Sequence, residues 1–280
     1  FEHNKYQNMF NANGKVKIDD TNKDYILFSE DISYLKNEEK ILSKGKTIVE
    51  VEKKYNFISE DVQLLRNVLE LSSSKKSFIK DDNLNEYELD EFKYYGNERI
   101  LKGKNVLIKT STKIDNLNSI TDKYFFSEGF FNFKDQSFIS KKTKINVHKN
   151  IFDNPENDPR LFGVSSSGDN KKTVINKGIF TSCKLKDDCP APWSIKANKI
   201  THDKIKKEMI YENAILQLYD YPILYFPKFF HPDPTVKRRS GFLQPQFNNS
   251  TNLGQSIHLP YFKVISDSLD YTFKPTLFEN

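Results

Sequence analysis

Two cysteines and five histidines are the side chains here with the widest chemical range, and their spacing limits what they can do. Cys183 and Cys189 stand in TSCKLKDDC. That C-x5-C spacing fits no standard zinc or redox motif, but it is short enough for a local disulfide in an oxidising compartment. His3, His148, His202, His231 and His258 are scattered, with no His-x-x-x-His pair and no carboxylate constellation. No glycine-rich phosphate loop and no G-x-S-x-G elbow occurs. His202-Asp203 reads as a polar pair at a strand end. The residues therefore predict a protein without metal, cofactor or catalytic site. An enzymatic reading would be a β-solenoid glycosidase with two carboxylates about 5–9 Å apart across a groove. None of the many Asp and Glu residues singles itself out for that role.

The elements that would position a site are strands. Phe and Tyr number 23 and 14 while Met is nearly absent, a composition suited to pleated, half-buried surfaces. ILFSEDISY (26–34) and FISEDVQL (57–64) align at an offset of thirty residues, pairing Phe28-Ser29-Glu30-Asp31-Ile32 with Ile58-Ser59-Glu60-Asp61-Val62. Gly-Lys elements recur in NANGKVKI, ILSKGKTIVEV and ILKGKNVLIK. Alternation places Ile26, Phe28, Ile32 and Tyr34 on one face, with Leu27, Ser29, Asp31 and Ser33 on the other. Gly14, Gly45, Gly103, Gly129, Gly163, Gly168 and Gly178 are expected at turns. SEDVQLLRNVLEL (59–71) reads as strand, turn, strand. Short strands stacked this way make a solenoid-like or jelly-roll sheet pair with an elongated apolar seam, either packed core or a lipid groove.

From about Tyr219 the punctuation changes: residues 220–245 crowd five of the eleven prolines into one stretch, read as a linker or an edge. SIHLPYFKV (256–264) and LDYTFKPTLF (269–278) then alternate, each as one strand. In the second, Leu269, Tyr271, Phe273 and Leu277 oppose Asp270, Thr272, Lys274 and Thr276. Alternation over about ten residues fits a transmembrane barrel strand or a half-exposed soluble hairpin. No apolar run reaches the ~18 residues of a membrane helix. A balance of 43 basic and 38 acidic residues, net +5, is too even for a nucleic-acid footprint. The sequence opens on Phe1 without a leader and stops abruptly at Asn280, so it is expected to be an internal piece of a longer chain.

Residues 173–245 carry more than pattern. INKGIFTSC (175–183), ITHD (200–203) and PDPTVKRRSGFLQP (232–245) closely resemble the LPS-assembly outer-membrane protein family, LptD, especially alphaproteobacterial forms. The SEDISY-like units resemble the OstA repeat of periplasmic lipopolysaccharide-bridge proteins. The resemblance implies an all-β chain: an OstA-like, V-shaped periplasmic β-jelly-roll (1–225), a Pro-rich linker (226–240) and the first strands of an outer-membrane β-barrel (241–280). It implies transport of lipopolysaccharide into the outer leaflet, from an LptA-like periplasmic bridge protein, through a barrel plugged by an LptE-like lipoprotein. A soluble periplasmic bridge protein without a barrel is the alternative, though it leaves 232–278 unexplained.

The implied sites follow. Acyl chains would lie in a dry groove lined by Ile26, Phe28, Ile32, Tyr34, Ile48, Ile58, Val62 and Leu64, with roughly 0.8 kcal/mol gained per buried methylene. FLQP and HLPYF match the family's gate-strand prolines, which assigns Pro245 and Pro260 to a lateral gate within the first and second barrel strands. Cys183 matches a family cysteine that pairs near the far C-terminus; the neighbouring Cys189 offers a competing local bond.

Overall fold

Strict alternation keeps the buried side chains of a strand two residues apart, and several of the longer strands here break that rule near their middle. The computed structural model describes residues 2–279 other than 5, 7, 84, 114–118, 148–157, 185–190, 234, 235, 237 and 251–253. Among them the regular structure is all strand apart from one short 3-10 turn at Lys36–Glu38. No helix among the described residues is long and apolar enough to cross a membrane, which says nothing of strands.

The chain opens with β1 (Glu2–Asn4), β2 (Met9–Asp20), β3 (Tyr25–Leu35) and β4 (Lys40–Val51). Three interrupted strands follow: β5 (Tyr55–Glu60) with β6 (Gln63–Leu65), β7 (Glu70–Ser73) with β8 (Ser77–Lys80), and β9 (Glu86–Leu89) with β10 (Glu91–Tyr95). Then come β11 (Ile100–Lys113), β12 (Ser119–Asn132), β13 (Ser137–Asn146), β14 (Arg160–Gly168), β15 (Lys172–Thr181), β16 (Trp193–Asp203), β17 (Glu208–Leu218) and β18 (Tyr221–Pro232). Each pairs antiparallel with its successor from β1 to β4 and from β11 to β17. Between those runs, β4 pairs with both β5 and β6, while β11 pairs with both β9 and β10. The region 59–71 is indeed strand, turn, strand.

The break in alternation is a line of bulges crossing the sheet. In β3 the buried positions run Tyr25, Leu27, Ser29 and then Ile32, a step of three residues. The same step separates Ser59 from Val62, Ser140 from Thr143, and Tyr211 from Ala214. Extra residues at the bulges take left-handed backbone: Asp61 (φ 50), Asn105 (φ 49), Lys142 (φ 48), Lys177 (φ 48) and Asn213 (φ 51). In β2 and β4 this place belongs to Gly14 (φ 82) and Gly45 (φ 75), whose missing Cβ makes the conformation free of clash. The Gly45 N–H donates to the Asp61 carboxylate at 2.9 Å across the pair. Gly14 and Gly45 are thus corners inside strands; Gly103, Gly129, Gly163 and Gly178 also lie within strands, and Gly168 ends one. The turns are polar instead, built where a carboxylate accepts nearby backbone N–H groups, as Asp20 does from Asn22 and Lys23 and Asp203 from Ile205 and Lys206.

The bulge line folds the sheet into two leaves that bury their facing sides, the all-β jelly-roll expected from the sequence. Equivalent residues of the thirty-residue repeat share a file: Phe28 opposes Ile48, and Ile48 opposes Ile58. This roll is one compact unit, Phe1–Phe230. The segment expected to be a linker from residue 226 is strand through Pro232, with the Tyr225 hydroxyl donating to the Asn213 side chain at 2.8 Å and Phe229 5.6 Å from the Tyr211 ring.

The second unit, His231–Asn280, holds β19 (Gly241–Phe242), β20 (Gln246–Ser250), β21 (Gly254–His258), β22 (Tyr261–Ser266), β23 (Leu269–Phe273) and β24 (Thr276–Phe278). β19, β22 and β23 form one antiparallel sheet; β20, β21 and β24 form another.

Candidate functional site

The interior between the leaves is apolar and rich in aromatic rings. Phe57 of one leaf has its ring 4.9 Å from Tyr94 and 5.6 Å from Phe92 of the other, and Tyr87 lies 6.0 Å from Phe131. These belong to a core cluster running from Tyr25 to Phe131, and a second cluster spans Ile145 to Ala214. Tyr124 packs against both, so the apolar interior continues along the roll. Burial pushes the Tyr25 hydroxyl up to about 12 and those of Tyr94 and Tyr211 further still, so the phenols stay neutral. Among the described residues the Tyr94 hydroxyl has no hydrogen-bond partner.

Small hydroxyls line the corner where the leaves meet. Thr47 bonds Ser43 at 2.7 Å and Ser29 at 3.1 Å, Ser59 and Ser77 lie 2.8 Å apart, and Ser166 lies 2.6 Å from Ser140 and 2.7 Å from Thr143. The Ser43 hydroxyl also accepts the Val62 N–H freed by the bulge, at 2.9 Å.

The eight residues expected to line a groove do not share a face. Ile32, Val62 and Leu64 lie in the interior, and Tyr34 packs against it. Ile26, Phe28, Ile48 and Ile58 point to the outer side, where Phe28 is 41% exposed and carries the Lys17 ammonium 6.0 Å from its ring. The three-residue step at the bulge reverses the face midway, so one alternation drawn through 26–34 assigned the first half wrongly. The inward residues of that half are Tyr25 and Leu27, at 1% and 0% exposure.

In the second unit the expected strands 256–264 and 269–278 are each broken in two, because proline supplies no ladder donor. Pro245 separates β19 from β20, Pro260 separates β21 from β22, and Pro275 separates β23 from β24. Pro245 and Pro260 therefore sit in breaks, not within continuous pairing. The breaks align: Leu243 N–H donates to the Pro260 carbonyl at 2.8 Å, and Leu259 N–H donates to the Pro275 carbonyl at 3.1 Å. Pro275 belongs to the same file, and the even spacing of the three prolines along the chain was its visible signal. Around them the apolar side chains face outward, with Phe247 77%, Phe273 59% and Leu277 59% exposed. Large exposed apolar surface of this kind marks contact with another apolar phase or partner.

Cys183 is half-buried, with its Sγ 3.9 Å from the Trp193 carbonyl. Cys189 lies outside the described residues, as does His148. The ring of His202 sits on β16 opposite Met209 and that of His258 meets the Thr276 hydroxyl at 2.7 Å. Among the described residues no group of three or more His, Cys, Asp or Glu side chains could hold a metal ion.

No family model matches the chain. Among curated proteins it is 34% identical over 112 residues to the LPS-assembly protein LptD of Sodalis glossinidius, covering 40% of this chain and 14% of that protein. LptD of Escherichia coli K12 gives the same identity and coverage. LptD of Pectobacterium atrosepticum is 26% identical over 204 residues, 67% of this chain and 25% of the relative. The chain is LptD-like. It spans a quarter or less of the length of these relatives.

Proposed function

We propose that this chain is the periplasmic jelly-roll and the opening barrel strands of a protein that delivers lipopolysaccharide to the outer leaflet of the outer membrane. The apolar interior between the two leaves, its two core clusters bridged by Tyr124, in a chain similar to LptD, carries the reading. Acyl chains enter between the leaves and exchange water for apolar side chains, at roughly 25 cal/mol for each Å² removed from water. Ile32, Val62 and Leu64 line that path. The role is transport rather than catalysis.

In the same reading the aligned breaks at Pro245, Pro260 and Pro275 are the weak line of the barrel seam through which lipid leaves. A periplasmic bridge protein delivers the lipid, a plug lipoprotein occupies the barrel, and Cys183 is oxidised in the mature protein. Depletion of the full-length protein tests the whole proposal: lipopolysaccharide should vanish from the cell surface and accumulate at the inner membrane. Unchanged surface lipopolysaccharide would overturn it.

A further inference from the structure

We propose that Arg66 and Arg99 form a clasp that shuts the two leaves along their free edges, and that releasing it admits the ligand. The inference rests on the reading that the ligand lies between the leaves. One leaf ends in the turns 21–24 and 52–54, the other in the turns 66–69 and 96–99. Arg66 crosses the gap: its Nη2 donates to Asp20 Oδ2 at 2.6 Å and its Nε to the Tyr25 hydroxyl at 3.1 Å. It is anchored on its own side by Glu39 Oε2 at 2.9 Å and the Tyr34 hydroxyl at 3.0 Å, with its guanidinium over the Tyr34 ring. Arg99 makes the next crossing with a two-pronged grip on Glu52, Nε to Oε1 at 3.0 Å and Nη2 to Oε2 at 2.8 Å. Lys23 adds a contact to the Asn67 carbonyl at 3.4 Å. Further along the same edge Phe133 stands 5.0 Å from Tyr55 and 5.5 Å from Tyr87.

The leaves touch, so they must part before an acyl chain can lie between them. Apolar side chains lose little in that exchange, because lipid replaces the opposite leaf as their neighbour. The ion pairs have no such replacement. They are the part of the closed state that a lipid cannot substitute, and the bulge line on the far side serves as the hinge. The Asp20 side chain is only 7% exposed, but the Arg66 and Arg99 side chains are 31% and 37% exposed, so dissolved salt reaches both guanidinium groups.

The test uses the full-length protein with spin labels, introduced as unnatural amino acids, at Asn22 and Asn67 on opposite tips. The unmodified protein should give one narrow distance distribution. In the Arg66→Met/Arg99→Met variant the mean distance should grow by at least ~5 Å, half the ~10 Å spacing of packed sheets, and broaden. Raising salt from about 0.05 to about 1 M should widen the distribution in the unmodified protein, an arm that holds if the variant misfolds. A distribution that stays narrow at high salt, or in a folded variant, overturns the clasp. Neither arm needs lipid, so failure of the clasp and failure of the lipid reading are distinguished.

Discussion

Truncating Leu64 should destabilise the roll several times more than truncating Phe28, although both belong to the apolar set read from the repeats. Leu64 is 1% exposed and lies among the packed residues of the larger core cluster. Replacing such a leucine with alanine removes transfer energy and leaves a cavity, together about 2–5 kcal/mol. Phe28 is 41% exposed on the outer side, where its neighbours are Ile48 across the pair and Lys17 at 6.0 Å from the ring. A cross-strand apolar pair contributes about 0.2–1 kcal/mol and an exposed cation–π contact about 0.5–1, so Phe28→Ala should cost on the order of 1 kcal/mol. Urea unfolding followed by the fluorescence of Trp193, the chain's one tryptophan, measures both. Equal costs for the two variants, or a loss above ~3 kcal/mol for Phe28→Ala, would refute the face assignment.

Other predictions follow from the same geometry. The hydrogen bond from Arg66 holds the Asp20 carboxyl below its ordinary value, so its stabilisation is complete above the unfolded Asp range near ~3.9 and is lost as pH falls through the lower folded value. Asp20→Asn should therefore lower Tm at neutral pH while flattening the loss of Tm below about pH 4; an unchanged acid slope would contradict this. A Cβ at Gly178 would stand 2.5 Å from Ile200 Cδ1, a fully buried side chain, so Gly178→Ala should cost about 1–3 kcal/mol in denaturant midpoint titrations. Replacing Pro245, Pro260 and Pro275 together with Ala should strengthen pairing by about 1–2 kcal/mol across the break. Lipid export should slow while assembly continues, read as greater sensitivity to large antibiotics; wild-type sensitivity would count against the gate.

Strand content and the thirty-residue unit were legible because aromatic enrichment and repeat spacing are properties of the chain itself. The handedness of each face was not. One inserted residue, such as Asp61 at φ 50, reverses inward and outward for every position beyond it, and no residue type announces a bulge unambiguously when Lys142 and Lys177 occupy the same conformation. Gly14 and Gly45 did signal unusual backbone, yet a corner inside a strand and a turn between strands both favour glycine. The prolines 245 and 260 could be singled out from sequence, but only the register showed that their breaks line up with a third at Pro275. Arg66 carried no signal, because its partners Asp20 and Tyr25 lie more than forty residues away in the chain.

Photo-crosslinking in living cells tests the central claim most directly. A crosslinking amino acid placed singly at Ile32, Val62 or Leu64, between the leaves, should yield adducts with lipopolysaccharide. The same residue at Ile26, Phe28, Ile48 or Ile58, on the outer side, should yield none. Adducts confined to the outer four positions, or absent from all seven, would contradict the passage of lipid through the interior of the roll.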